Sequence, residues 1–490
     1  MDQRLSRSLL TCQNHPLVRQ MAIVAAEQGL SPVYLVGGFL RDTLLERPGA
    51  LDIDLVSTNP AALGAALRER FAGRGVCLGD QTHRVVFRWK GDRVQVDISP
   101  LRRGDIVEDL RGRDFTINAL AVPLGEDPPR VIDPAAALQD IAEGRVRVSH
   151  PRVLTEDPIR LLRGIRLAAQ LDFTIDEATT QAIRRWAPLL SGVAPERLRE
   201  EFFKMLDCSE AGRWLAVMDD LTLLEALLPE TRPMRGCLQD PPHRYDVFTH
   251  SLETVRSLDR VLRELPRFLP LEAASLSGPL RVEVEGGISR QSLLCFAALL
   301  HDVGKPGTRS TEGGRVRFLG HASSGALVAE EICHRLRLGS RATAMTVTLI
   351  REHLRPLSLR QAEITTPRAR YRFWRDVGAV TADLLLLSIA DVHATWGQMG
   401  TDFRRHLRFV REMFAFYRER IGPTGPQKLV DGHELMDRLH LRPGPFIGFL
   451  LERIREEASL GAFRTKEEVF RYLKRRLQSL QEEFTQSESP

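Results

Sequence analysis

The hydrophobic pattern of this chain changes period near residue 150, and no other feature limits its possible folds as strongly. Before that point short apolar runs alternate with polar residues; beyond it apolar residues recur at intervals of three and four. A period of two builds strands with one buried face, and a period near 3.6 builds amphipathic helices. The chain must therefore place a small sheet in its N-terminal part and helical layers after it. Its 490 residues exceed what one core organises, roughly 150 residues per domain being usual. Hydrophobic residues at 43% and charged residues at 27% supply enough apolar surface to offset backbone ordering, which excludes a disordered or collagen-like chain.

The fold class read from this pattern is α+β. A helix around 15–29 leads into a strand over 32–36, the pair Gly37-Gly38, a short helix and a second strand over 51–56. Two further strands, 84–89 and 93–98, flank the turn Lys90-Gly91-Asp92. The pattern predicts a mixed α/β head over 1–150, a helical neck over 151–235, an all-α domain over 240–400 and a helical tail over 420–490. The Pro-rich segment 229–242 marks the main boundary, and Gly422-Pro423-Thr424-Gly425-Pro426 marks a later joint. Residues 265–290 read as an irregular insertion, and the polar stretch from Gln481 reads as frayed.

Lys plus Arg number 69 against 64 Asp plus Glu, a net of +5; so small an excess permits a polyanionic partner without requiring one. The six cysteines form no C-x-x-C pair, which argues against a thiolate metal site or a redox pair and for a reducing compartment. With no leader of signal-peptide type and no apolar run of about 18 residues, the expected setting is cytoplasmic, without a membrane.

Asp52 and Asp54 alternate with Leu51, Ile53 and Leu55, so a strand presents both carboxylates on one face. Carboxylates so close repel unless a cation lies between them, as in Mg²⁺-dependent phosphoryl transfer; alone, the pair more often marks a solvated strand edge. Gly37 and Gly38 let backbone N–H groups approach a phosphate, and Arg41 and Asp42 follow them. Further on, Arg113, Asp114 and Asn118 suit the triphosphate and ribose of a nucleotide. In order, G-G-x-x-R-D, L-D-I-D-L-V and R-D-F-T-I-N-A resemble the class II tRNA nucleotidyltransferase and bacterial poly(A) polymerase family. The resemblance implies a polymerase-β-like nucleotidyltransferase head. In it Asp52 and Asp54 hold two Mg²⁺ ions, and the tRNA 3′ end displaces pyrophosphate from CTP or ATP in line.

Glu156-Asp157-Pro158-Ile159-Arg160-Leu161-Leu162-Arg163 reads as a helix start, with residues 157 and 160 on one face offering a carboxylate acceptor and a guanidinium donor. A surface ion pair is the plainer reading of that spacing. In the resembled family, E-D-x-x-R reads the base of CTP or ATP without a nucleic-acid template, so the resemblance implies Asp157 and Arg160 on the base and Arg163 on the nucleotide. Glu196, Arg197 and Glu200 match a later motif that braces this helix.

Three departures from the family pattern stand out. Gly112 replaces the first Arg of an R-R-D triplet, and Ala136-Ala137 stand where Gly-Gly often follows the equivalent of Asp133-Pro134. The stretch between Arg102 and Glu108 is short. Members that complete the whole CCA end carry a longer mobile segment there, so the short one resembles the CC-adding branch, which leaves the last step to a separate A-adding enzyme. A harmless loop deletion is the alternative.

His250, the adjacent His301 and Asp302, His321, His353 and Asp391 fall in helical surroundings. A buried carboxylate is costly unless paired or metal-bound, though any one of these histidines taken singly is more often structural. The order H, HD, H, H, D, with Gly304-Lys305 after His-Asp, resembles the HD phosphohydrolase superfamily. That resemblance implies a site for Mn²⁺, Ni²⁺, Fe²⁺ or Mg²⁺ where water is activated against a phosphoester. The segments 441–448 and 471–476 resemble the tail of HD-containing relatives; 443–445 and Arg145, Arg147 and Arg152 are candidate tRNA contacts, while a charged helix facing solvent is the plainer reading of 474–476. The expected function is template-independent addition of C to the tRNA 3′ end, with a fused hydrolase. The rivals are a bacterial poly(A) polymerase and a phosphohydrolase whose head only binds RNA.

Overall fold

The computed structural model of this protein describes residues 3–47, 51–362, 365–397, 400–422, 429–463 and 465–488. It divides into two compact units, the first formed by 1–209 with 214–229 and the second by 210–213 with 230–490.

The first unit opens with helices α1 (Gln3–Gln13) and α2 (Pro16–Glu27). Then come β1 (Val33–Val36), α3 (Gly37–Leu44), β2 (Asp52–Ser57), α4 (Pro60–Arg70), β3 (Arg74–Cys77), β4 (His83–Trp89), β5 (Asp92–Pro100), α5 (Ile106–Arg111) and β6 (Ala121–Pro123). The strands form one sheet in the order β3-β4-β5-β2-β1-β6, antiparallel except for β2 with β5. That parallel pair sets Asp54 opposite Asp97 and Asp52 opposite Gln95. Alternation works as expected along β2: Ile53 and Leu55 are buried in the head core with Leu35, Val96 and Ile98, while Asp52 is exposed and Asp54 half-buried. The β4–β5 turn has positive φ at Lys90 and Gly91, as a tight hairpin needs.

Helices α6 (Ala137–Ala142), α7 (Arg152–Glu156), α8 (Ile159–Leu171), α9 (Glu177–Trp186) and α10 (Pro195–Leu206) follow. Leu161, Leu162, Ile165 and Leu167 form the buried face of α8. The expected helix start differs in one respect. Asp157 is extended (φ −142°, ψ 91°) and separates α7 from α8, because the ring of Pro158 disfavours helical backbone in the residue before it. Its carboxylate therefore does not share a helix face with Arg160. Arg145 and Arg147 are also partly committed, both pairing with the buried Asp140.

In the second unit the helices Val247–Arg263, Arg290–Leu300, His321–Arg335, Ser340–Glu352 and Thr381–Trp396 surround a core that includes the fully buried run 293–300. Residues 265–290 are regular rather than irregular: two short helices, Leu265–Phe268 and Ala273–Leu280, precede a small ribbon, and Pro266 and Pro279 had broken the helical pattern. One helical stretch, Pro367–Trp396, is long and apolar enough by composition to cross a membrane, but 61% of its apolar window is buried within the protein. It consists of two helices joined by a turn at Gly378–Val380, and Leu384–Ile389 fill the core. A C-terminal trio of helices, Gly432–Leu439, Pro445–Ser459 and Lys466–Glu488, packs on Leu435, Leu450, Val469, Leu473 and Leu480. The last helix runs past Gln481 instead of fraying, since Leu480 is buried and both Arg453 and Arg476 pair with Glu483. Residues 423–426 of the anticipated joint lie outside the described residues.

Candidate active site

The first unit holds a cleft of about 1190 Å³ lined by Gly37, Gly38, Arg41, Asp42, Asp52, Asp54, Asp97, Arg113, Asp114, Asn118 and Arg163. Helix α3 begins directly at the end of β1, with Gly37 at φ +76°. A Cβ on Gly37 would lie 2.4 Å from Asp54 Oδ2, so glycine alone lets the turn close on that carboxylate. The Gly38 backbone N–H bonds Asp54. Burial pushes the Asp54 carboxyl up to about 6, Asp97 and Asp52 push the same way, and Arg113 opposes them. A cation would relieve this repulsion, and three carboxylates suit a hard ion such as Mg²⁺.

Around the carboxylates the polar groups are cross-tied. Arg41 is buried, donating from Nε to Asp42 Oδ1 and from Nη1 to Asn118 Oδ1, each at 2.8 Å. Asp114 accepts from the Phe115 N–H at 2.8 Å, from Asn118 Nδ2 at 3.2 Å and from Arg163 Nη1 at 3.0 Å. Burial would raise its carboxyl, but the Arg163 guanidinium and these donors hold it below its usual range. Arg163 also donates to Glu201 Oε1 at 3.0 Å, which ties α8 to α10 as well as to the head.

Asp157 and Arg160 lie outside this lining. Arg197, which does line the cleft, forks both Asp157 oxygens at 2.9 and 2.8 Å. Arg160 donates to the Val153 carbonyl at 3.0 Å, with its Nε 4.0 Å from Asp157 Oδ2. Two contributors escaped the sequence reading. Asp97 joins the carboxylates through the β2–β5 pairing, and Arg84 forks it at 2.7 and 2.8 Å. The alternation in 93–98 was the available signal for Asp97, but nothing local shows which strand lies beside β2.

The second unit gathers all six expected HD residues. His250 Nε2 lies 3.0 Å from Asp391 Oδ1 and 3.7 Å from Asp302 Oδ2. His301 Nε2 is 3.2 Å from Asp302 Oδ2, while His321 and His353 Nε2 approach Asp302 Oδ1 at 3.4 and 3.6 Å. His301, His321 and His353 each hold the carbonyl three residues earlier through Nδ1 (2.8, 2.7 and 2.6 Å), which turns every Nε2 inward. Gly304 is required here because a Cβ would meet the His321 carbonyl at 2.3 Å. His301 Nε2 and Asp302 Oδ1 are buried without a hydrogen bond of their own, which suits donors to a metal ion. Two donor groups, His250 with His301 and Asp302, and Asp302 with His321 and His353, share one carboxylate. Lys305 Nζ lies 2.6 Å from Asp302 Oδ2 and donates to Gln239.

Comparison with known proteins matches three regions of the chain. The Poly A polymerase head domain family matches residues 33–147, a family described as the probable RNA and SrmB-binding site of polymerase A matches 172–234, and the HD domain family matches 247–396. An A-adding tRNA nucleotidyltransferase of Deinococcus radiodurans is 32% identical over 450 residues, covering 90% of this chain and 94% of its own. The chain belongs to the tRNA nucleotidyltransferase family. A CC-adding tRNA nucleotidyltransferase of Geobacter sulfurreducens is 32% identical to this nucleotidyltransferase over 475 residues, 96% of this chain and 97% of its own. A Thermotoga maritima CCA-adding enzyme, solved in complex with tRNA, shares the fold over 96% of this nucleotidyltransferase and 98% of its own chain, with TM-score 0.64 at 21% identity. Both the head and HD families are metal-dependent.

Proposed function

We propose that this nucleotidyltransferase extends the tRNA 3′ end from CTP in the manner of the CC-adding branch, leaving the terminal A to a separate A-adding enzyme. The convergence of Asp52, Asp54 and Asp97 on the cleft beside Gly37 and Gly38 carries the nucleotidyl-transfer reading. Mg²⁺ held by these carboxylates supplies charge neutralisation at the triphosphate and acidifies the 3′-hydroxyl. In the transfer the 3′ oxygen bonds the α-phosphorus as pyrophosphate leaves. The protein's own groups orient the partners: Gly37 and Gly38 bring backbone N–H groups close to a phosphate, and Arg41, Asp42, Asn118 and Asp114 form a cross-tied donor and acceptor wall, with Arg113, held by Asp109, also lining the cleft. Arg163 fixes α8 against that wall. Asp157 and Arg160 then read the base, which requires Asp157 to exchange Arg197 for the nucleotide.

The short join between β5 and α5, residues 101–105 alone, supports CC addition. It is further restrained by a turn at Arg102–Gly104 and by Asp105, whose side chain caps α5. The Deinococcus relative favours a second reading, addition of A. The test supplies CTP, ATP or both to tRNA ending at the discriminator base, at C or at CC, and sequences the 3′ ends. CC ends in the presence of ATP are expected. A added only to CC ends would establish the A-adding reading, CCA ends a complete enzyme, and long A tails a polymerase. Asp54→Ala should abolish incorporation on every substrate.

The HD cluster is proposed to hydrolyse phosphoesters with Mn²⁺, Ni²⁺, Fe²⁺ or Mg²⁺, and its two donor groups around Asp302 favour a pair of ions. Six cysteines outside any disulfide fit a cytoplasmic location.

A further inference from the structure

Nearly every Arg and Lys lining the head cleft already holds an acceptor within the protein. Arg41 holds Asp42 and Asn118, Arg113 holds Asp109, and Arg163 and Arg166 hold Glu201. Arg197 holds Asp157, Lys204 holds Glu200, and Arg47 donates to the carbonyls of Gln170 and Leu171. Among the described residues the exception is Arg7, an exposed side chain on α1 that lines the same cleft.

Helix α1 precedes residues 33–147, the part matched by the head family, and it is anchored without help from Arg7. Leu9 and Cys12 are buried in the head core, and the Gln13 side chain donates to the Glu126 carbonyl. Arg7, Thr11 and His15 recur every four residues and all line the cleft. The Thr11 hydroxyl is engaged by the Arg7 carbonyl and the His15 ring stacks edge-on against Phe39. The helix thus places Arg7 at the cleft edge, and among the described residues nothing claims its guanidinium.

An anion entering the cleft can take the Arg7 guanidinium without competing with an existing acceptor, whereas the other cations would share their donors between it and the acceptors they already hold. A planar fork of donors matches phosphate oxygens. We propose that Arg7 binds a phosphate group in the head cleft, carried either by the triphosphate of the incoming nucleotide or by the RNA backbone next to the 3′ end. This rests on the nucleotidyltransferase reading of the cleft.

The experiment uses the full chain with Arg7→Ala, Arg7→Gln and Arg7→Lys, folding being checked by melting temperature. Dissociation constants are measured for CTP by calorimetry and for tRNA lacking its CCA end by filter binding over a salt series. Arg7→Ala and Arg7→Gln should weaken one ligand by about tenfold, the scale of a charge-assisted hydrogen bond, and Arg7→Lys should recover part of it. If the RNA backbone is the source, the slope of log affinity against log salt falls by about 0.7–0.9 and CTP binding holds. If the triphosphate is the source, CTP weakens and the salt slope holds. Wild-type constants for both ligands in Arg7→Ala and Arg7→Gln, in a protein whose wild type adds nucleotides, overturn the inference whatever happens to turnover. A wild type that binds neither CTP nor tRNA overturns the nucleotidyltransferase reading instead.

Discussion

Asp54 sits where folding and chemistry pull in opposite directions. Its carboxyl rises from 3.8 to about 6, first through burial and then through Asp97 and Asp52. A pKa raised on folding means that the native state binds the proton more tightly than the unfolded chain. The associated stability is complete below the unfolded value and is lost as pH rises through about 6. At pH 8 the metal-free protein therefore holds a charged Asp54 at a cost of about 3 kcal/mol, two pK units' worth. Asp54→Asn keeps the shape and removes the charge. In EDTA it should raise the unfolding free energy by about 2–3 kcal/mol at pH 8 and by little at pH 4, as read from urea denaturation. A gain independent of pH would show that charge is not the cause. Mg²⁺ should narrow the gap at pH 8, because an ion that binds only the folded wild type stabilises it in turn.

At the level of elements, the start of α3 is where backbone geometry and the carboxylates meet. Gly37→Ala forces a side chain into left-handed backbone, about 1–2 kcal/mol of strain, and drives its Cβ against Asp54. The variant should lose at least that much stability and more than tenfold in kcat for incorporation. Gly38→Ala should cost less stability, since its Cβ would meet only Arg41 Nη2 at an ordinary 3.6 Å; equal losses would refute the close-approach argument. This turn and the β2 carboxylates were legible in the sequence because each lies in a short motif whose spacing carries its geometry, whereas the six HD residues, spread from 250 to 391, were legible only through their order and the resemblance that order carries. Asp97 was not, because a parallel neighbour is reached through intervening elements and no local pattern names it. Asp157 was misread as helical although Pro158 was the signal against it. At Ala136, where the family often has glycine, the backbone is still left-handed with φ +58°, so tertiary context keeps the conformation after the residue that favours it has gone.

For the whole molecule, the two clusters belong to different units: Asp52, Asp54 and Asp97 lie within 1–209, and the HD residues lie within 230–490. None of the hydrogen bonds or ion pairs described for one cluster involves a residue of the other. Substitutions at sites with no shared partner have additive effects, so the two chemistries should be separable. Asp302→Ala removes the carboxylate common to both HD donor groups. It should lower bound metal, measured by elemental analysis, and reduce metal-dependent phosphodiester hydrolysis by roughly a hundredfold or more, given what loss even of supporting groups costs metal sites, while tRNA extension persists. Asp54→Ala should do the reverse, and the double variant should lose both. Loss of tRNA extension in a folded Asp302→Ala protein would mean that the HD cluster governs the head. Retention of hydrolysis and metal by Asp302→Ala would mean that the buried imidazoles and carboxylates serve only to hold the helices together.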